Sequence, residues 1–371
     1  MLPLWQRCRS VVAGEDAVKA AKETYLPRIA GYTDADYDAY RARAEFFNAT
    51  GQTVDALSGM VFRVDPAVEI PSQIKPFLLD VGGGVQFRAF AEMGFEEILT
   101  VTRVGVFVDL QPDGSRATAM IYRAENILNW RVENQRLVQV RLQEQVLSRS
   151  VDDEFIDVMT KQIRVLELID GMYVQRFFPL VKGKYVEDVN AQIIPQMNSA
   201  PMSFIPFYFG GAQDTSPSVD MPVLLDLVNV NLSHYRSSAD REEGSHQTAI
   251  PTRVFIGLRE NATGGDTVDI SPRSGVILPM GGDAKILEFA GSGIAALRDD
   301  MQDKEHRMAV LGARLLTQSP AGVEAADTAR IHRASESSVL ASLASSWEQV
   351  LEVTLKTVAM WMQADADQVS A

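Results

Sequence analysis

Hydrophobic positions recur every three to four residues as far as Thr100, alternate in steps of two from Val104 to Val181, and return to helical spacing after Ser218. The first period predicts helices over Ala17–Glu23, Asp34–Asn48 and Thr53–Val61, with Asp34 as an N-cap just past the turn-prone Gly31. Pro66, Pro71 and Pro76 interrupt this run. A further helix over Gln86–Thr100 carries Phe87, Phe90, Ala91, Phe95, Ile98 and Leu99 on one face. The alternating stretch predicts an antiparallel meander of VGVFVDL, a QPDGS turn, TAMIYRA, ILNWRVE, RLVQVRLQEQVL, QIRVLELI, a turn at Asp170 and Gly171, and MYVQRFFPLV. The proline- and glycine-rich stretch Pro195–Pro217 is expected to be the connector out of this α+β domain, which ends near Thr215.

The next helix is predicted from about Ser218, with Asp220 as cap and Pro222 in its first turn, and is expected to end at Gly244. Leu224, Leu227, Val228, Leu232, Tyr235 and Ala239 give it a narrow apolar stripe. A small β module follows, with strands TRVFIGL, SGVILPM and KILEF separated by polar, glycine-rich stretches. Helical spacing resumes from Ile294 to Leu316 through Leu297, Met301, Met308, Leu311 and Leu315, a face that packs on another helix. A break at Thr317–Val323, around Pro320 and Gly322, precedes a third long helix predicted from Glu324 to Met362.

At 371 residues and 40.9 kDa the chain is long enough for two or three packed units. Its 46% hydrophobic and 23% charged residues fit globular material rather than disorder. No run approaches the eighteen or so apolar residues of a membrane helix, and the N-terminus lacks the pattern of a secretory signal, so an intracellular site of synthesis is expected. A net charge of −14 is the wrong sign for gripping a phosphate backbone, although an acidic wall suits a conduit past which a polyanion slides. The single cysteine, Cys8, rules out an internal disulfide and is expected to be a buried small side chain.

Candidate chemistry is sparse. Gly291, Gly293 and Ala296 in ILEFAGSGIAALRDD match a dinucleotide-binding G-x-G-x-x-A, but no second βαβ unit and no acidic strand end follow, so these glycines are expected only to turn the chain into a helix. His234, His246, His306 and His332 fall in no metal-ligand spacing, and neither a cofactor nor a metal is expected. Asp152, Asp153 and Glu154, and likewise Asp299, Asp300 and Asp303, suit solvated faces. Lys304, Arg307 and Arg314 share one helix, and Arg330 and Arg333 follow the break. These fit either surface pairs such as Asp300 with Lys304 or weak phosphate contacts multiplied by symmetry in a ring.

The strings around Trp5, Cys8 and Arg9, Ala13-Gly14, Val18-Lys19, Tyr25-Leu26-Pro27, Tyr40, Phe46-Phe47-Asn48-Ala49-Thr50-Gly51, Val54 and Gly59-Met60-Val61-Phe62 resemble a tailed-phage portal family catalogued as a domain of unknown function. So do NLSHYRSSADREEGSHQTAIPTRVFIG, GARLLTQ and EAADTARIHRASESSVLASLA. The resemblance implies a non-enzymatic homo-oligomeric ring, usually dodecameric, at one capsid vertex of the virion, assembled in the host cytoplasm. Double-stranded DNA would pass weakly and non-specifically through its channel. The terminase large subunit, a head–tail adaptor, and the major capsid and scaffold proteins would be partners.

The implied fold is a portal-type α+β architecture: an α/β wing over 1–215, stem helices over 216–247 and 292–316, a small β-containing clip over 248–291, and over 317–371 a tunnel loop and long kinked helix leading to a short or absent crown. The channel or tunnel loop would use Gln318, Ser319, Pro320, Ala321, Gly322, Arg330, Arg333, Lys304 and Arg307. The clip would dock partners through Arg253, Val254, Ile256, Arg259, Glu260, Asn261, Asp266, Asp269, Val276 and Ile277, with strands Arg253–Leu258 and Gly275–Met280 pairing between subunits. The alternatives are a nucleotide-binding enzyme on the α+β domain, or another ring-forming virion connector.

Overall fold

A computed structural model of the chain describes residues 1–111, 114, 116–149, 155, 157–197, 199–248, 252–256, 283–287, 292–316 and 338–370. The chain divides into two compact units, one of Met1–Gly14, Asn48–Asn229 and Met308–Ala371, the other of Glu15–Phe47 and Val230–Arg307.

The first unit opens with helix α1 (Leu2–Ala13). No helix is expected there from the pattern above, although the three-residue spacing of its buried Trp5, Cys8 and Val11 carries the signal. In the second unit α2 (Glu15–Ala20) and α3 (Asp34–Arg43) follow. The cap of α3 is Thr33 rather than Asp34: the Thr33 hydroxyl accepts from the Asp36 N–H, and the Asp36 carboxylate accepts in return from the Thr33 N–H. The helix expected to run through Asn48 therefore stops at Arg43, and Asn48 instead caps α4 (Ala49–Val61) by accepting from the Gly51 N–H at 3.0 Å. Gly51 is required there, because a Cβ would lie 2.7 Å from the Val12 carbonyl oxygen of α1.

After α5 (Lys75–Leu79), α6 (Phe87–Val101) buries the whole face read from its sequence, from Phe87 to Leu99. It is covered by α9 (Val339–Trp361), whose Leu343, Trp347, Val350, Leu351, Leu355 and Val358 are buried. Each such side chain is worth about 1.5–3 kcal/mol when fully removed from water. The Trp347 indole lies against Gly94 and donates to the Ala91 carbonyl at 2.8 Å, so the ring is fixed by shape and by its one polar atom.

The alternating stretch forms two antiparallel sheets rather than one meander. Strands β1 (Val104–Leu110) and β2 (Ala117–Arg123) pair with each other, while β3 (Ile127–Glu133), β4 (Arg136–Arg149), β5 (Asp157–Ile169), β6 (Met172–Val181) and β7 (Lys184–Tyr185) form a five-stranded sheet. The ladder breaks because Ala124–Asn126 makes a helical turn between β2 and β3. Asp170 and Gly171 take the positive φ values their turn demands. Within the stretch read as connector, two short strands, β8 (Gln196–Met197) and β9 (Ala200–Pro201), pair with each other, and β10 (Phe207–Gly210) joins β1, its buried Phe207 and Phe209 packing near Tyr122 and Trp130. Arg103, fully buried, ties the two sheets together. Its guanidinium lies 4.4 Å from the Trp130 ring centre and 4.5 Å from that of Phe209, and it donates to the Ser218 carbonyl at 2.7 Å. Burial draws its pKa down to about 10, which leaves it charged at neutral pH.

Helix α7 (Leu225–Thr248) leaves the first unit at Asn229 and continues in the second. It starts later than expected because Asp220 is already engaged, accepting from the Ala212 N–H, and Pro222 sits in the preceding turn. It also runs through Gly244 to Thr248. Strands β11 (Thr252–Ile256) and β12 (Asp283–Leu287) then pair antiparallel, before α8 (Ser292–Arg314). Among the described residues, the TRVFIGL strand thus pairs with the KILEF strand. The strand expected over Gly275–Met280 and the helix expected over 324–337 lie outside the described residues, as does the break at Thr317–Val323. Mixed helices and antiparallel sheets make the fold α+β, as the pattern indicates.

Replacing Gly94 with alanine would place a Cβ 2.2 Å from the Trp347 ring. The variant is expected to lose about 1–3 kcal/mol in urea unfolding, whereas Gly59→Ala, which meets nothing within 4 Å, should not lose stability.

Candidate functional site

Within the second unit, α7 presents a polar face on which the packing of that unit rests. Asn231, His234, Ser237, Ser238 and Glu243 are buried along it, with Asp240 at the rim. On one side the face meets α3 and the segment that follows it. The Asn231 amide donates to the Phe47 carbonyl at 2.8 Å, the Ser238 hydroxyl accepts from the Glu45 N–H at 3.1 Å, and the Asp240 carboxylate accepts from the Tyr40 hydroxyl at 2.6 Å. Glu243 accepts from Tyr32 at 2.8 Å, from Gln247 at 2.9 Å and from Arg43. Burial alone would raise the pKa of Glu243, but the hydrogen bonds from Arg43, Gln247 and Tyr32 outweigh it and hold the carboxyl below its ordinary value. Tyr40 is pushed upward by burial and by Asp240.

On the other side the face meets α8. Lys304 donates to the Asp300 carboxylate and to the Ser237 hydroxyl, both at 2.6 Å, and Ser237 donates to Asp300 at 2.9 Å. These three groups close a triangle across the two helices, and the Lys304 ammonium holds Asp300 below the usual aspartate range. One turn away, the buried His234 Nε2 lies 3.2 Å from the Glu305 carboxylate, with the Phe47 ring beside the imidazole. The i,i+4 pairing of Asp300 with Lys304 is the one the sequence suggests, and it recruits Ser237 from a second helix that sequence spacing does not reveal.

Of the channel residues expected from the sequence, Lys304 thus has its charge matched inside its own unit, while Arg307 is exposed with no ion-pair partner among the described residues. Gln318, Ser319, Pro320, Ala321, Gly322, Arg330 and Arg333 lie outside the described residues, so α8 brings together only the first two. Of the clip residues, Arg253, Val254 and Ile256 stand on β11, opposite Ile286, Lys285 and Asp283 of β12. Arg259, Glu260, Asn261, Asp266, Asp269, Val276 and Ile277 lie outside the described residues.

Other candidate groups carry little chemistry. Gly293 and Ala296 already belong to α8, which begins at Ser292. His246 and His306 are exposed, and among the described residues no three His, Cys, Asp or Glu side chains gather as metal ligands. Cys8 is fully buried and burial pushes its thiol up to about 11, too high for a reactive thiolate at neutral pH. Among the described residues no helix is long and apolar enough to cross a membrane.

A family model described as a domain of unknown function (DUF4055) matches residues 223–362, a span that runs from the entry of α7 to the end of α9. No curated protein matches the chain. Among solved structures, a chain of the neck of an empty GTA particle is similar at 12% identity and a TM-score of 0.45, over 97% of this chain and 88% of that one. A chain of the virion of a native gene transfer agent particle is similar at 13% identity and TM-score 0.45, with the same coverage. One from the neck of a native GTA particle with C12 symmetry is similar at 11% identity and TM-score 0.46, over 96% and 88%.

Because Glu243 and Asp300 are held below their ordinary values of 4.5 and 3.8, the stability they add is present above those values and is lost as pH falls through the lower, folded values. Glu243→Gln is expected to lower the melting temperature at pH 7 and to show a shallower decline below pH 4.5 than the wild type. Parallel melting curves for the two proteins across that window would contradict the assignment.

Proposed function

We propose that this protein is a portal subunit of a tailed phage: a non-enzymatic chain that closes into a ring at one capsid vertex and lines a channel through which double-stranded DNA enters and leaves. What carries this reading is the order of elements from Leu225 to Arg314, a long helix, a short antiparallel strand pair and a second long helix. The polar face of α7 and the Ser237–Asp300–Lys304 triangle fix the two helices to each other within their unit. A helix pair braced in this way supports a strand module at its far end as a rigid arm. The strings that resemble the portal family include α7 itself and the run after α8.

In this reading α7 and α8 are stem helices, β11 and β12 begin and end the clip, and α9 follows the tunnel loop. The clip docks the terminase large subunit during filling and a head–tail adaptor afterwards, while the outer surface meets major capsid and scaffold proteins. The net charge of −14 suits passage of DNA rather than tight binding. Lys304 serves the helix pair, and the exposed Arg307 is the better candidate of the two for contact with a polyanion.

Light scattering on the purified chain, with negative-stain imaging, tests the proposal. A mass many times 40.9 kDa, near twelve times for a dodecamer, with a central hole, is expected. Particles of one or two chains that persist across salt and concentration would overturn it.

A further inference from the structure

Within the first unit a cavity of about 560 Å³ is lined by both sheets and by the last residue of α9. Its size is that of a site for a small organic ligand. Met120, Phe177, Ile193 and Trp361 give it apolar and aromatic walls, and Asp109 of β1 and Arg164 of β5 bring charge to it.

Three polar groups at this cavity are short of partners. Asp109 Oδ1 accepts from the Leu110 N–H at 3.0 Å and from Gln175 at 3.1 Å, but Oδ2 receives a single long bond, 3.3 Å from Arg164 Nη1. The Asp109 side chain keeps 20% of its surface exposed, so the carboxylate is still accessible. Arg164 commits Nη1 to Asp109 and Gln175 and sets Nε beside Glu144, which leaves Nη2 without a partner among the described residues. Trp361 is buried, and its indole N–H has no acceptor among the described residues. Buried donors in a folded chain are nearly always bonded, so an unpaired one on a residue that lines a cavity points to a ligand atom or a water.

Charge narrows the choice of ligand. Asp109 and Glu144 set two negative charges against the one positive charge of Arg164, and burial raises the Asp109 pKa even with Arg164 and Gln175 bonded to it. A phosphate or a carboxylate would add to that surplus, and a cation would face unpaired N–H donors. The complement of two donors and one acceptor is a neutral group with two acceptors and one donor. A cyclic imide, an N–H between two carbonyls, has that count, and its flat ring suits walls made by Phe177 and Trp361.

We propose that this cavity binds a cyclic imide of the kind carried by uracil and thymine: the ring N–H donates to Asp109 Oδ2, and the two carbonyls accept from Arg164 Nη2 and from the Trp361 indole. Such a ring comes either as a free nucleoside or as an unpaired base of a strand, whose pairing edge is open to be read. The site is separate from the ring reading and holds whether or not the chain assembles.

Calorimetric titration of the full chain with thymidine, and separately with a short single-stranded thymidylate oligonucleotide, tests this. Thymidine binding with a Kd of about 1 mM or below supports the free nucleoside as source, and binding of the oligonucleotide alone supports the strand. Failure of both would overturn the inference and leave the portal reading untouched. 3-Methylthymidine has no ring N–H to offer Asp109 and is expected to bind at least about tenfold more weakly. Trp361→Phe keeps an aromatic wall and removes the indole donor, and it is expected to stay folded by circular dichroism and to weaken binding about fivefold. Equal affinity for the methylated ring, or unchanged affinity in the folded Trp361→Phe chain, would also overturn the inference. If that variant does not fold, the methylated ring decides.

Discussion

The polar face of α7 is the constraint on which the second unit depends. Beside its buried Leu232, Tyr235 and Ala239, this helix buries Asn231, His234, Ser237, Ser238 and Glu243, and these polar groups meet their partners at one register only. Sliding α8 by a turn would strand Asp300 and Lys304 away from Ser237 and leave His234 facing no carboxylate. An apolar seam tolerates such a shift, whereas a seam of matched polar groups does not. The arrangement thus sets a fixed geometry between the two helices.

The first unit is built on the opposite principle. Its core is α6 against α9 and the β1–β2–β10 sheet, closed by the fit of Trp347 against Gly94. Polar groups within it, such as the Arg164–Glu144–Asp109 cluster and the stacked Arg103, join sheet to sheet rather than set register along a helix. Charge is satisfied internally at most of these sites.

Much of this was legible in the sequence where a single period dominates. The apolar face of α6 and the strands from Val104 to Val181 follow from spacing alone, because burial on one side forces it. Helix ends were less legible. Thr33 and Asn48 cap where Asp34 and a continuing helix were expected, since a cap is decided by which oxygen reaches an N–H and not by residue type. The splitting of the sheet comes from the turn at Ala124–Asn126, which alternation does not show, and the recruitment of Phe207–Gly210 from a proline-rich stretch goes with contacts to Tyr122 and Trp130 far away in sequence. For the candidate site, the pair Asp300–Lys304 could be read from spacing, but Ser237, His234 and Glu243 could not, because their partners lie on other elements.

In the proposed ring, α7 and α8 form a braced pair arranged about the axis. A three-dimensional reconstruction of the assembled protein, resolved well enough to trace helices, tests it most directly. Both helices are expected to surround an open axial channel, with the β11–β12 strands at one end. Helices at the periphery of the particle, or an assembly with no axial channel, would contradict it.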